Sequence, residues 1–459
     1  MTVNNSIFQK IDNIGLAKAC LIIVIMAMIV RFSYIFFFIQ EEYLLLEDQK
    51  VYINLALEYS KTGFLGMTPE RAPGYPLFLS SLYSIFSENQ LYIITVQAVI
   101  DSISCILIGL LAQAVFSRSL LIAGIMSALN MNMIILSATI LTDTLFLFIF
   151  LIFLLLLVKY LQRETWLWLF LSVLFLSVAT LVRPVAYYLL PILLIGLVIW
   201  RIWQKDGIMR IITMVALYIF FVALVLGGIH HRNYTKYNST AFASDTGKHL
   251  LGWVVPATYQ YSGKGTYQDG QLLAYKKLNL AQKRDNLPSL PSNEFDASAY
   301  QIRVGKDILS ELGFVSIIKA WSTGFALNLL APSVAYAPIV RAMEHPSFYA
   351  TRGNNGADKL YNYISSSGFF YLLILTIGTS ISALFFFAAI YAVVKVVLSI
   401  LRKEDSVISP RIIITLSLFV GYFLAITGPI IGVKYRLPIE PILTIFILSS
   451  KWFNSDSNS

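Results

Sequence analysis

Ten stretches of this chain, each roughly twenty residues long, are almost wholly apolar. A helix of about twenty residues reaches across the roughly 30 Å of hydrocarbon in a bilayer. Inside hydrocarbon every backbone N–H and C=O must find its partner within the protein. A bundle of helices is therefore what such a chain can fold into. The runs lie at about 17–39, 91–115, 120–138, 141–159, 166–182, 185–203, 211–229, 368–396, 411–431 and 437–453. The 459 residues would permit two or three soluble domains by length alone, but only 13% are charged and 57% are hydrophobic. A soluble domain carries about 25% charged residues. The expected class is an all-α, multi-spanning membrane protein. No small-residue cleavage site follows the first run, so it reads as a retained span. Cys20 and Cys105 both fall inside apolar runs and offer neither a disulfide framework nor a metal spacing.

The basic residues set the expected orientation. With the N-terminus inside, the cytoplasmic flanks hold Lys10, Lys18, Arg118, Lys159, Arg163, Arg201, Lys205, Arg210, Arg402, Lys403, Arg411 and Lys451. Few basic residues remain in the opposite short turns: Arg183, Lys434 and Arg436. The net charge of +9 is thus a topology signal and not a nucleic-acid footprint. One alternative stays open: 120–138 and 141–159 as a single broken helix, which would invert everything downstream. Two long loops, about 40–90 and 230–366, fall outside. The expected organisation is a transmembrane module over 1–229, an extracytoplasmic loop domain over 230–366 and a second transmembrane module over 367–459. Apolar stretches near 306–340 contain Lys306 and Lys319, with Arg341 just beyond, and read as helices on the membrane surface.

Charged groups at a membrane boundary are costly unless paired or functional. On the outer side the chain offers Glu47, Asp48, Glu70, Arg71, Asp143, Arg183, His230, His231, Arg232, Lys434 and Arg436. A carboxylate can take a proton from an incoming hydroxyl or amine. Arginine and lysine bind phosphate, arginine through a bidentate fork. A phosphate held at the bilayer boundary suggests a lipid phosphate whose tail stays in the membrane. Each group also has a plain reading. Asp48 fits a solvated loop acid, and Arg71, Arg183, Lys434 and Arg436 fit headgroup anchors. Asp143 after Thr142 fits a helix cap, and the two histidines fit surface positions. Ala72-Pro-Gly-Tyr-Pro76 is at least a rigid turn.

The order of short motifs adds a resemblance. Asp48-Gln-Lys-Val-Tyr52, then Arg71-Ala-Pro-Gly-Tyr75-Pro-Leu77, is similar to the first loop of GT-C-fold glycosyltransferases. The closer likeness is to the bacterial branch related to dolichyl-phosphate-mannose protein mannosyltransferases and the lipid A aminoarabinose transferase. Leu141-Thr-Asp143-Thr-Leu145, Leu181-Val-Arg183-Pro184, Arg232-Asn233 and Lys434-Tyr-Arg436-Leu-Pro438 resemble its later signatures, in order. The resemblance implies a GT-C-like bundle of about 10–13 spans. It implies a membrane glycosyltransferase that moves a sugar from a polyprenyl-phosphate donor to a glycan, lipid A or protein acceptor. The expected setting is the bacterial cytoplasmic membrane, with the site facing the periplasm. It casts Asp48 as the catalytic carboxylate and offers Glu70 as a second. Arg71, Lys434 and Arg436 become donor-phosphate ligands. Glu47, Tyr52, Tyr75, Asp143, Arg183 and Arg232 support them. Lys434 departs from the arginine usual at that position, replacing a fork by a point charge. No metal, other cofactor or nucleic acid is expected. The competing readings are a lipid-linked sugar flippase or transporter, and a lipid-linked glycan polymerase or ligase.

Overall fold

The computed structural model describes residues 14–45, 48–116, 119–348, 351–353, 356–401 and 409–449. Glu47, Lys10, Arg118, Arg402, Lys403 and Lys451 lie outside the described residues. Every regular element among those described is helical. Each of the ten apolar runs is met by helix: α1 (Leu16–Phe38) carries the first, and α2 (Asp48–Gly66) and α3 (Gly74–Phe86) fill the first loop. Then come α4 (Gln90–Phe116), α5 (Leu120–Ala128), α6 (Met131–Ser137), α7 (Asp143–Arg163), α8 (Trp166–Val182), α9 (Leu189–Trp203) and α10 (Ile208–Tyr237).

Among the described residues, seven helices are long and apolar enough to cross a membrane, or up to nine if two bent pairs each count as one span. This is three fewer than the ten runs suggest: among the described residues the run at 437–453 forms a helix of only 10 residues, Glu440–Ser449, and two other runs fall short for local reasons. α8 has 17 residues. The run at 120–138 is not one helix but α5 and α6, bent by 57°. Asn130 causes the break: its side chain caps α6 by accepting from the Met133 N–H at 3.0 Å. Arg31, buried in α1, donates at 3.0 Å to the Ala128 carbonyl that the break leaves free. The same guanidinium pairs with Asp101 of α4 at 2.6 Å and reaches Cys105 at 3.2 Å. One ionic staple thus ties α1, α4 and the end of α5.

α7 is the central post. Its 21 residues rise about 30 Å. Phe146, Phe150 and Phe153 interleave with Phe419 and Phe423, at centroid separations of 5.3–6.3 Å. Those partners belong to the helix Pro410–Thr427, and one core runs from Ala19 to Leu448. At the Arg163 end of α7, Glu164 pairs with Arg201 at 3.3 Å and Arg411 at 3.1 Å, and Arg201 pairs with Asp206 at 3.0 Å. Two of the basic flanks, Arg201 and Arg411, therefore meet at this end of the bundle. Asp143 stands at the other.

Beyond α10 the chain builds a helical subdomain. It comprises α11 (Thr246–His249), a π-helical turn to α12 (Val255–Tyr261), α13 (Tyr267–Arg284), α14 (Glu294–Leu312) and α15 (Phe314–Leu330). It has its own core of Leu251, Val255, Ala274, Val304, Ile308 and Leu312. α15 leaves α14 at 101°, turning on Gly313 at φ +88°. It then packs along the 428–432 turn. Asn328 bonds there to the Ile430 carbonyl at 2.8 Å and the Gly432 N–H at 2.9 Å. The chain closes with α16 (Pro338–Arg341), α17 (Gly356–Ser365), α18 (Phe369–Leu401), α19 (Pro410–Thr427) and α20 (Glu440–Ser449).

Candidate active site

The Asp143 end of the bundle receives α2, the 67–73 loop, the 183–188 turn and the 433–436 turn. Asp48 opens α2. Gln49 pins that end: its amide donates to the Tyr43 carbonyl at 2.7 Å and accepts from the Ile140 N–H at 2.9 Å. Tyr75 fixes α3. Its hydroxyl donates to Gln97 at 2.6 Å, whose amide continues to the Thr139 carbonyl at 2.6 Å. The Tyr52 and Tyr75 rings meet edge to face at 5.2 Å. Gly74 is needed because α3 starts directly against α8: a Cβ there would lie 2.6 Å from the Leu181 carbonyl oxygen. The Pro-Gly-Tyr-Pro segment is thus more than a turn. It is the joint that holds the Arg71 loop against the bundle.

These anchors bring Asp48 between two cations. One carboxylate oxygen lies 3.7 Å from Arg71 and the other 3.4 Å from Lys434. Asp48 is 45% exposed, Arg71 31% and Lys434 18%, so the group is open on one side and screened little on the other. Arg71 also pairs with Asp245 at 3.2 Å, while its buried Nε has no hydrogen-bond partner among the described residues. Desolvation opposes the charge of Lys434, but Tyr435, Tyr336, Asp143 and Asp48 outweigh it and raise its pKa. Beneath lies the Arg183–Asp143 ion pair, with the guanidinium 5.7 Å over the Tyr435 ring and 5.9 Å over Phe146. Asp143 is therefore more than a helix cap, and Arg183 more than an anchor: each is the other's partner.

Other expected residues sit differently. Arg436 is not beside Asp48. It is buried, with Nε on Glu440 at 2.7 Å, Nη1 on the carbonyls of Leu329 and Ala331, and Nη2 on Ser333 at 2.6 Å. Asn132 joins this lock, donating to Glu440 and to the Val433 carbonyl, both at 3.0 Å. The 3₁₀ turn at 433–435 turns Lys434 outward and Arg436 inward, so adjacent motif cations take different work. Glu70 reaches Lys248 of the subdomain at 3.0 Å, and the second carboxylate on the Asp48 cations is Asp245. Arg232 is buried, lies 4.8 Å over Phe64 and donates to Asn233 at 2.8 Å. It braces α2 from below. His230 bonds to the Thr240 carbonyl at 2.9 Å. The sequence reading did not single out Asp245 and His249, which come from α11 and the residue before it. Although His249 is exposed at the surface, desolvation and the cations Arg71 and Lys434 lower its pKa, against Asp245.

This geometry can do two things chemically. It holds an oxyanion between Arg71 and Lys434, and it presents a carboxylate within reach of the same point. Comparison with known proteins bears on the fold that carries these groups. Residues 70–226, about a third of the chain, match the family model of dolichyl-phosphate-mannose-protein mannosyltransferase. Among solved structures, the archaeal oligosaccharyltransferase AglB from Archaeoglobus fulgidus is similar in fold. That protein was solved with an inhibitory peptide and a dolichol-phosphate. The match has a TM-score of 0.51 at 13% identity and covers 95% of this chain and 50% of AglB, so this chain spans half of its length. No curated protein matches the chain significantly. The chain is a multi-spanning membrane protein with the fold of the GT-C glycosyltransferases.

Proposed function

We propose that this protein transfers a sugar from a polyprenyl-phosphate donor to a hydroxyl or amine acceptor, with inversion, at the extracytoplasmic face of a bacterial cytoplasmic membrane. The observation that carries this reading is the placement of Asp48 between Arg71 and Lys434. The lipid tail lies among the helices, and its phosphate takes the two cations from Asp48. Freed, the Asp48 carboxylate accepts the proton of the acceptor. The acceptor oxygen or nitrogen bonds to the anomeric carbon while the bond from that carbon to the phosphate oxygen breaks. The electron pair leaves on the phosphate, where Arg71 and Lys434 stabilise the growing charge. The products are the glycosylated acceptor and polyprenyl phosphate.

Asp143 and Arg183 form the floor, and Tyr52 and Tyr75 set the helix that presents Asp48. Arg436 and Glu440 position the Lys434 turn. Glu70 and Lys248 join the first loop to the subdomain that closes over the site. The gathering of Arg201, Arg210 and Arg411 near Glu164 and Asp206, at the far end of α7, supports the orientation. The test is to incubate purified protein with synthetic polyprenyl-phosphate sugars and membranes, and to identify products by mass spectrometry. A glycosylated product together with free polyprenyl phosphate supports the reading. Movement of intact donor between leaflets without cleavage overturns it.

A further inference from the structure

Asp48 faces two spaces. One is the Arg71–Lys434 cleft. The other is a cavity of about 260 Å³, and neither Arg71 nor Lys434 lines it. Its polar walls are Asp48, Tyr43, Gln49, Thr139, Tyr336 and Arg341. Gln49 is committed at both ends of its amide to Tyr43 and Ile140, so it shapes the wall and does not read a ligand. The segment opposite is also fixed. Ala337 and Val340 are buried in a cluster with Ile135, Tyr363 and Tyr371. Arg341 follows Val340 at the end of α16 and is exposed, with its guanidinium 5.7 Å over the Tyr336 ring. A cation on a rigid mount therefore faces a cavity whose other charged wall is the proposed base.

We propose that this cavity is the acceptor subsite, and that Arg341 selects a saccharide bearing an oxyanion close to the attacked group. This rests on the reading of Asp48 as the base. An acceptor must touch Asp48 without displacing the donor phosphate, and the cavity satisfies that condition. Tyrosine walls and a carboxylate would suffice for a neutral sugar. A guanidinium adds a planar fork for carboxylate or phosphate, and a charge-assisted hydrogen bond contributes enough for selectivity of about tenfold or more. The shared ligand chemistry is a sugar oxyanion, whether from a uronic acid or a sugar phosphate.

The test measures binding to the purified full-length protein, with glucuronic acid, glucose 6-phosphate and glucose as probes, and separately with a polyprenyl phosphate. The wild type is expected to bind at least one anionic probe about tenfold tighter than glucose. Whichever anion prevails tells carboxylate from phosphate. Arg341→Gln is expected to abolish that preference and leave polyprenyl phosphate binding unchanged, while Arg341→Lys retains part of the preference. Lys434→Ala is expected to show the reverse pattern. Equal binding of all three sugars by the wild type, or an unchanged preference in Arg341→Gln, overturns the proposal. So does a loss of polyprenyl phosphate binding in Arg341→Gln, which would put the cavity on the donor side. Loss of the preference in Arg341→Gln while Asp48→Asn still transfers sugar would keep the subsite and reject the base.

Discussion

The Asp48 carboxylate and the Lys434 ammonium stand 3.4 Å apart although 386 residues separate them in the chain. The 3₁₀ turn at 433–435 makes that meeting possible, and the buried Arg436–Glu440 pair holds the turn. Two cations two residues apart thus serve different ends, and substitution should separate them. Lys434→Ala is expected to cost less stability than Arg436→Ala and to weaken polyprenyl-phosphate binding by about tenfold. Arg436→Ala strands Glu440 in the core and should cost about 3–5 kcal/mol of stability. Thermal unfolding in detergent beside lipid-binding titrations checks both. Equal effects of the two variants on binding and stability would contradict the division.

Gly74 lies where no side chain fits. Gly74→Ala places a Cβ 2.6 Å from the Leu181 carbonyl oxygen, and the neighbour is backbone. Overpacking of this kind costs about 1–3 kcal/mol. The displaced joint carries Arg71, so a lower melting temperature and a weaker affinity for lipid phosphate should appear together. A variant with unchanged values for both would show that α3 is not fixed by this contact.

The intramembrane pair Arg31–Asp101 is a staple, not part of the site. Arg31→Met leaves a buried carboxylate unpaired and should cost about 3–5 kcal/mol. Arg31→Met with Asp101→Leu should recover much of that loss, because a buried ion pair is often replaceable by apolar side chains of similar volume. Melting curves of the two variants test this. Transfer activity of the double variant is expected to remain near wild type.

His249 offers a pH signature. Desolvation, Arg71 and Lys434 lower its pKa below the usual 6.5, so it is neutral at neutral pH. A phosphate on those cations would favour the charged imidazole. Binding of a lipid-phosphate sugar, a diester with no ionisation in this range, should therefore tighten as the pH is lowered towards the depressed pKa of His249. His249→Gln should remove that increment. Affinity titrations across pH check it, and an identical pH slope in the variant would dismiss the assignment.

Much of this was legible from sequence. The apolar runs gave the all-α membrane class, and boundary charges together with motif order pointed to Asp48, Arg71 and Lys434. Asp143 and Arg183 were legible as boundary charges, but their pairing was not, because nothing local links a helix start to a helix end 40 residues on. Asp245, His249 and Arg341 come from short helices and turns without periodicity or motif. Arg436 misled for a geometric reason: a motif states neighbours in sequence, and a 3₁₀ turn sends them to opposite sides. The break at Asn130 had a signal, an N-capping residue inside an apolar run, which hydropathy alone passes over.

Asp48 becomes the base only once the cations hold phosphate. The most direct measurement compares sugar transfer and polyprenyl-phosphate binding in wild type and Asp48→Asn. Loss of a general base should lower transfer by about 100- to 10,000-fold. The neutral amide no longer competes for Arg71 and Lys434, so binding should be equal or tighter. Transfer at the wild-type rate, or loss of binding and transfer together, would contradict the account.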